Sequence, residues 1–145
     1  MILVTVTSVV IKWFVEEPLR DAARQILKSE HELVAPDFMI AEVANVLWRR
    51  QRSGDVEASQ VNDALVDLPR FFARLAPASD LVLQALDMAR ELAHSVYDCI
   101  FLAMAAQLTD AKLVTADERF LAKASNTQYG RLLWPLHDFS LSREP

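Results

Sequence analysis

Short apolar runs alternate along the chain with longer stretches in which apolar residues return every three or four positions. Met1–Val6 (M-I-L-V-T-V) is apolar and β-branched, the composition of a strand buried on both faces of a parallel sheet. Thr7 and Ser8 then offer an N-cap to a short helix over Val9–Val15. Pro18 suits the first turn of a second helix, which runs to about Ser29 with Ala22, Ala23, Ile26 and Leu27 as its apolar stripe. Leu33-Val34-Ala35 predicts a very short strand. Pro36 and Asp37 open a strong helix to about Arg52, closed by Ser53-Gly54.

The second half repeats the alternation. A helix over Asp55–Val66 is broken by Pro69, and Phe71–Leu75 reads as a strand. Pro77 and Ser79 introduce a helix to about Ala93, followed by Val96–Leu108, the most apolar helix of the chain. Lys112–Thr115 predicts a strand, Asp117–Ala124 a helix and Arg131–Trp134 a last strand. Strands that alternate with helices imply the α/β class, a short central parallel sheet with helices on both faces. No repeat, linker or low-complexity tract divides the chain, so residues 1–145 are expected to form one domain, with a loose polar tail from about Ser140.

Composition narrows the function. At 145 residues, 52% hydrophobic and 24% charged, the chain is long and apolar enough to bury a real core. Two glycines, Gly54 and Gly130, exclude Gly-rich phosphate loops. The single Cys99 cannot form an internal disulfide, which fits a reducing compartment. No stretch resembles a signal peptide or a membrane span, so a cytoplasmic protein without a membrane partner is expected. A net charge of −5 argues against a broad basic surface for nucleic acid. It leaves room for an acidic metal site that reaches phosphate through bound cations, or for a basic partner segment.

Three acids stand in settings unusual for a surface carboxylate. Glu42 lies with Asn45 and Arg49 on the stripe opposite Ile40, Val43, Ala44 and Leu47, and on this helix alone a solvated face is the favoured reading. Asp98 opens a run of eight apolar residues, Cys99–Ala106, that leaves no polar face and places it near the interior. Ser95-x-x-Asp98 also fits a capping box, so cap and ligand remain equally open for it. Asp117 follows Leu113-Val114-Thr115 at the carboxyl end of a strand, the edge where open α/β sheets place ligands. There Thr115-x-x-Glu118 would be the capping box, with Glu118 structural and Asp117 left over. Clustered carboxylates hold Mg²⁺ or Mn²⁺ for phosphodiester chemistry.

Other residues carry less. His31, His94 and His137 show no metal-ligand spacing, and Cys99 has no base beside it in sequence. Trp13, Phe14 and Trp48 read as core or interface rather than base-stacking platforms. Lys12, Arg49, Arg50 and Arg52 read as a solvated charged face.

Taken in order, four segments resemble the motifs of PIN domains, in particular the VapC-type toxin ribonucleases of bacterial toxin–antitoxin pairs. The segments are Thr7–Pro18, Ala35–Arg49, Tyr97–Ala105 and Leu113–Phe120. The resemblance implies a three-layer α/β fold and a Mg²⁺- or Mn²⁺-dependent endoribonuclease. It further implies an RNA substrate, a cognate antitoxin and a homodimer. The family's acids map onto Glu42, Asp98 and Asp117, with Ser8 at the site edge. Its first acid falls on Val6, which cannot ligate a hard cation. Impaired activity is therefore expected, and a non-catalytic module that binds an antitoxin or dimerises is the alternative.

Overall fold

A parallel sheet of five strands, ordered β3-β2-β1-β4-β5, forms the middle of the molecule. The computed structural model describes residues 1–139; the tail expected from Ser140 lies outside them. The strands are β1 (Ile2–Thr5), β2 (Glu32–Pro36), β3 (Arg74–Ala76), β4 (Ala111–Thr115) and β5 (Leu133–Pro135). Around them lie α1 (Thr7–Val10), α2 (Arg20–Lys28), α3 (Met39–Arg52), α4 (Ala58–Asp67), α5 (Val82–Leu92), α6 (Val96–Gln107) and α7 (Glu118–Ala124). The architecture is the three-layer α/β arrangement that the alternation of strands and helices predicts.

The central strand is the most apolar. Leu3 and Val4 of β1 are fully buried, as β1 is flanked by β2 on one side and β4 on the other. Helix α6 lies along β4, β1 and β2 and is covered in turn by α5. As its lack of a polar face predicts, Cys99 through Ala105 are all buried, with Leu102 at 0% and Met104 at 2% exposure.

Several boundaries differ from the predicted ones for identifiable reasons. Thr7 and Ser8 do not cap the first helix; they lie inside α1, whose N-cap position is Val6, with no side-chain cap. Only four residues of α1 are α-helical before the chain tightens into a 3₁₀ turn, Ile11–Trp13. Asp37 does not cap α3 either: its Oδ1 accepts from the Ala78 amide, which ties the end of β2 to that of β3. Phe71 belongs to a 3₁₀ turn, Leu68–Phe71, and the strand begins at Arg74. Aromatic and apolar content alone cannot tell a 3₁₀ turn from a strand over so few residues.

The chain runs from β1 outward through β2 to β3, then crosses back to β4 on the other side of β1 and outward to β5. The direction of winding therefore reverses between β1 and β4. Loops leaving the carboxyl ends of those two strands part there, and the crevice between them is where open α/β sheets bind ligands.

Candidate metal centre

The crevice at the carboxyl ends of β1 and β4 is a small cleft of about 60 Å³. Val6, Thr7 and Ser8 reach it from the end of β1, Glu42 from α3, Asp98 and Phe101 from α6, and Asp117 from the start of α7. Every acid singled out in the sequence, together with Ser8 and Val6, thus lines one cleft.

Asp117 is fixed by its own helix. Its Oδ1 accepts from the amides of Arg119 (3.0 Å) and Phe120 (3.1 Å), so it is the N-cap of α7. The expected Thr115–Glu118 box does not form. Thr115 Oγ1 instead accepts from the Asp117 amide (3.1 Å), and Glu118 is exposed. Capping occupies one carboxylate oxygen, which leaves the other as a lone-pair donor toward the cleft.

Asp98 sits in the first turn of α6, where Ser95 Oγ accepts its amide at 3.2 Å. Its own carboxylate turns to His94, with Oδ2 2.6 Å from Nε2. Ser95 is therefore the cap and Asp98 the group left to act in the cleft. One ligand atom each from His94, Asp98 and Asp117 falls within 4.8 Å of the other two.

His94 was not expected at the site. Ring spacing with another His or Cys is the usual metal signal, and His94 has none. The signal present was its position four residues before Asp98, across the N-cap of α6.

Glu42 departs from its stripe mates. Asn45 and Arg49 are exposed as expected, whereas Glu42 is half-buried and its Oε1 accepts from the Thr7 hydroxyl at 2.7 Å. Burial raises its carboxyl above the ordinary 4.5; the Thr7 bond opposes that rise and the nearby Asp98 charge adds to it. Glu42 shares the cleft but is not part of the His94–Asp98–Asp117 group.

Ser8 Oγ is buried and has no hydrogen-bond partner among the described residues. An orphaned buried hydroxyl is costly unless something fills the space it faces. Asp98 and Asp117 line the same cleft as Ser8, and His94 lies beside those two acids, so the donor set fits a divalent cation and its waters. Val6 lines the same cleft with an apolar side chain.

Two other candidates resolve as structural. Lys12 is buried in an ion pair with Glu17 at 2.9 Å, Glu17 also holds Arg50, and Arg50 holds Asp55 at 3.3 Å, so Lys12 and Arg50 do not form a solvated face. Trp13 is core, its Nε1 donating to the Ala23 carbonyl at 2.9 Å, while Trp48 is half exposed beside Arg52. Burial pushes the Cys99 thiol up to about 11, which rules it out as a nucleophile at neutral pH. No helix among the described residues is long and apolar enough to cross a membrane.

Comparison with known proteins bears on the family and the fold. The family model described as PIN domain matches residues 3–126. The chain is 29% identical over 125 residues to Ribonuclease VapC3 of Pyrobaculum aerophilum, covering 85% of this chain and 95% of that protein. The crystal structure of PAE2754, also from Pyrobaculum aerophilum, superposes with a TM-score of 0.64 at 22% identity, over 94% of this chain and 90% of that one. At that identity the structural likeness speaks for the fold alone.

Proposed function

The chain belongs to the PIN-domain family, and from that premise we propose that it is a VapC-like endoribonuclease of reduced activity. Its RNA phosphodiester would be hydrolysed with a Mg²⁺ or Mn²⁺ ion at the β1/β4 cleft. The observation that carries this reading is the convergence of Asp98 and Asp117, from two different elements, on the cleft that also holds Glu42 and Ser8. The match to a protein named as a ribonuclease supports the reaction class.

Asp98 and Asp117 would hold the cation, Asp117 through the oxygen not used in capping. When bound, such an ion polarises a phosphoryl oxygen and lowers the pKa of a bound water. Glu42, whose carboxyl burial raises above its ordinary value and whose Oε1 the Thr7 hydroxyl orients, would accept a proton from the attacking water. Ser8 offers a hydroxyl donor with no competing partner among the described residues. Beyond Asp98 and Asp117 the wall opens into a wider groove that carries Arg119 and Lys123. These two cations would receive flanking phosphates despite the net charge of −5.

Val6 accounts for the reduced rate. Its side chain lines the cleft where the family's first acid would add an oxygen ligand. Lacking it, the cleft would hold an ion with fewer charges and activate its water less well. The same observation favours a second reading, in which the fold persists as a non-catalytic body that binds an antitoxin or dimerises. In either case the partner would be an antitoxin segment whose Arg or Lys neutralises the acidic cleft, within a homodimer. A cytoplasmic location and a single domain over residues 1–145 complete the proposal.

Cleavage of a structured RNA with Mg²⁺ or Mn²⁺, compared between the chain and Asp98→Asn, tests it. Weak cleavage that Asp98→Asn abolishes supports the nuclease. Cleavage absent from both, with an antitoxin still bound, supports the second reading.

A further inference from the structure

We infer that His94 is a third protein ligand, through Nε2, of the cation held by Asp98 and Asp117. It would give the cleft a preference for first-row transition ions, Mn²⁺ included, over Mg²⁺. This rests on the proposal that the cleft is a cation site, and goes beyond it by naming a nitrogen donor.

The backbone at His94 is fixed, and Phe120 packs against its ring. Ala93 ends α5 in the left-handed conformation (φ 50°), which turns His94 back toward α6. Its carbonyl is latched by Lys123 Nζ of α7 at 2.6 Å, and the His94 amide donates to the Ala89 carbonyl at 3.2 Å. The Phe120 ring lies 5.1 Å from the imidazole. What remains exposed of His94 is 10%, and Nε2 is the atom that reaches Asp98.

Ligand geometry agrees. Atoms that share one ion at about 2.1 Å stand roughly 3 Å apart when adjacent and roughly 4.2 Å apart when opposite. The His94–Asp98 separation of 2.6 Å is a few tenths short of the first value, and the three atoms lie within 4.8 Å of one another, a looser bound than the second. Opening the pair by a few tenths of an ångström would admit an ion between them. Ser8 Oγ, buried and unpartnered in the adjoining cleft, is an independent sign that something polar belongs there.

The chemistry then follows from Val6. This cleft has one carboxylate fewer than its family implies and one imidazole close at hand. Oxygen-only sets suit Mg²⁺, whereas an imidazole raises affinity along the series from Mn²⁺ through Co²⁺ to Zn²⁺. The rival account is an ordinary His94–Asp98 ion pair that any cation displaces without contact to nitrogen.

Pulsed electron paramagnetic resonance on the untagged, metal-stripped full chain loaded with one equivalent of Mn²⁺ reads the ligand directly. Nitrogen modulation is expected in the unsubstituted chain and absent in His94→Asn and His94→Gln. Calorimetry with Co²⁺ and Mg²⁺ should show Co²⁺ affinity falling about tenfold or more in both variants, with Mg²⁺ affinity changed far less. Melting in EDTA checks that the variants fold, and the unsubstituted chain gives its spectrum without them. Mn²⁺ bound without nitrogen modulation, or equal losses for Co²⁺ and Mg²⁺, would overturn the role of His94 and leave the cation site standing. Failure of every cation to bind would overturn both.

Discussion

Val6, Asp117 and Glu42 each pose a separable question within one cleft, and single substitutions answer them differently. Val6→Asp should raise Mg²⁺ affinity and RNA cleavage together, because it adds the missing oxygen donor. Metal-free stability should fall, since another carboxylate joins Asp98, Asp117 and Glu42 in a partly buried site. Added Mg²⁺ should restore the melting temperature by mass action. Asp117 both caps α7 and offers a ligand oxygen, and Asn caps nearly as well as Asp. Asp117→Ala should therefore cost about 1 kcal/mol in denaturant unfolding without metal, while Asp117→Asn costs little and still loses metal binding. For Glu42 the sign follows from its raised carboxyl: the folded state binds the proton more tightly, so the ionised form lowers stability as pH rises past the ordinary 4.5. Glu42→Gln, which keeps an acceptor for Thr7, should melt higher than the parent at neutral pH, and the gap should close below pH 4.5. A gap independent of pH would remove burial of charge as its cause. Asp98 was legible because the apolar run after it leaves no polar face, and Asp117 because it follows the carboxyl end of a strand. Their division of labour was not: Ser95 and not Asp98 caps α6, and Asp117 itself caps α7. His94 leaves only a weak mark in the sequence, because its partner four residues on is a carboxylate and not a second His or Cys.

At the level of elements, the strength of the apolar pattern decided what could be read. Helix α6 has no polar face and is buried as predicted, so Leu102→Ala should cost roughly 2–5 kcal/mol through lost transfer energy and the cavity left behind. Urea unfolding measures this; a loss under about 1 kcal/mol would mean that α6 does not fill the centre. Element types were recovered along most of the chain, because β-branched runs and helical stripes follow different periods. Ends were less legible, since polar side chains near them had other partners. Thr7 donates to Glu42 across 35 positions and Asp37 accepts from Ala78 across 41, and neither link leaves a local mark.

For the whole molecule, topology converts these local features into a site. Placing β1 between β2 and β4 brings residues 6–8, Asp98 and Asp117 to one crevice, with His94 beside the two acids, and that juxtaposition depends on the crossover from β3 back to β4. The net charge of −5 fits such a crevice when cations or a basic partner neutralise it, and binding of a basic antitoxin segment should weaken with rising salt. The central claim is that the crevice holds a divalent cation between Asp98 and Asp117. X-ray diffraction from crystals of the chain soaked in Mn²⁺, recorded at the manganese absorption edge, tests it most directly. The account predicts an anomalous peak within ligand distance of both carboxylates, lost in Asp98→Asn; manganese bound elsewhere with this crevice empty would contradict it.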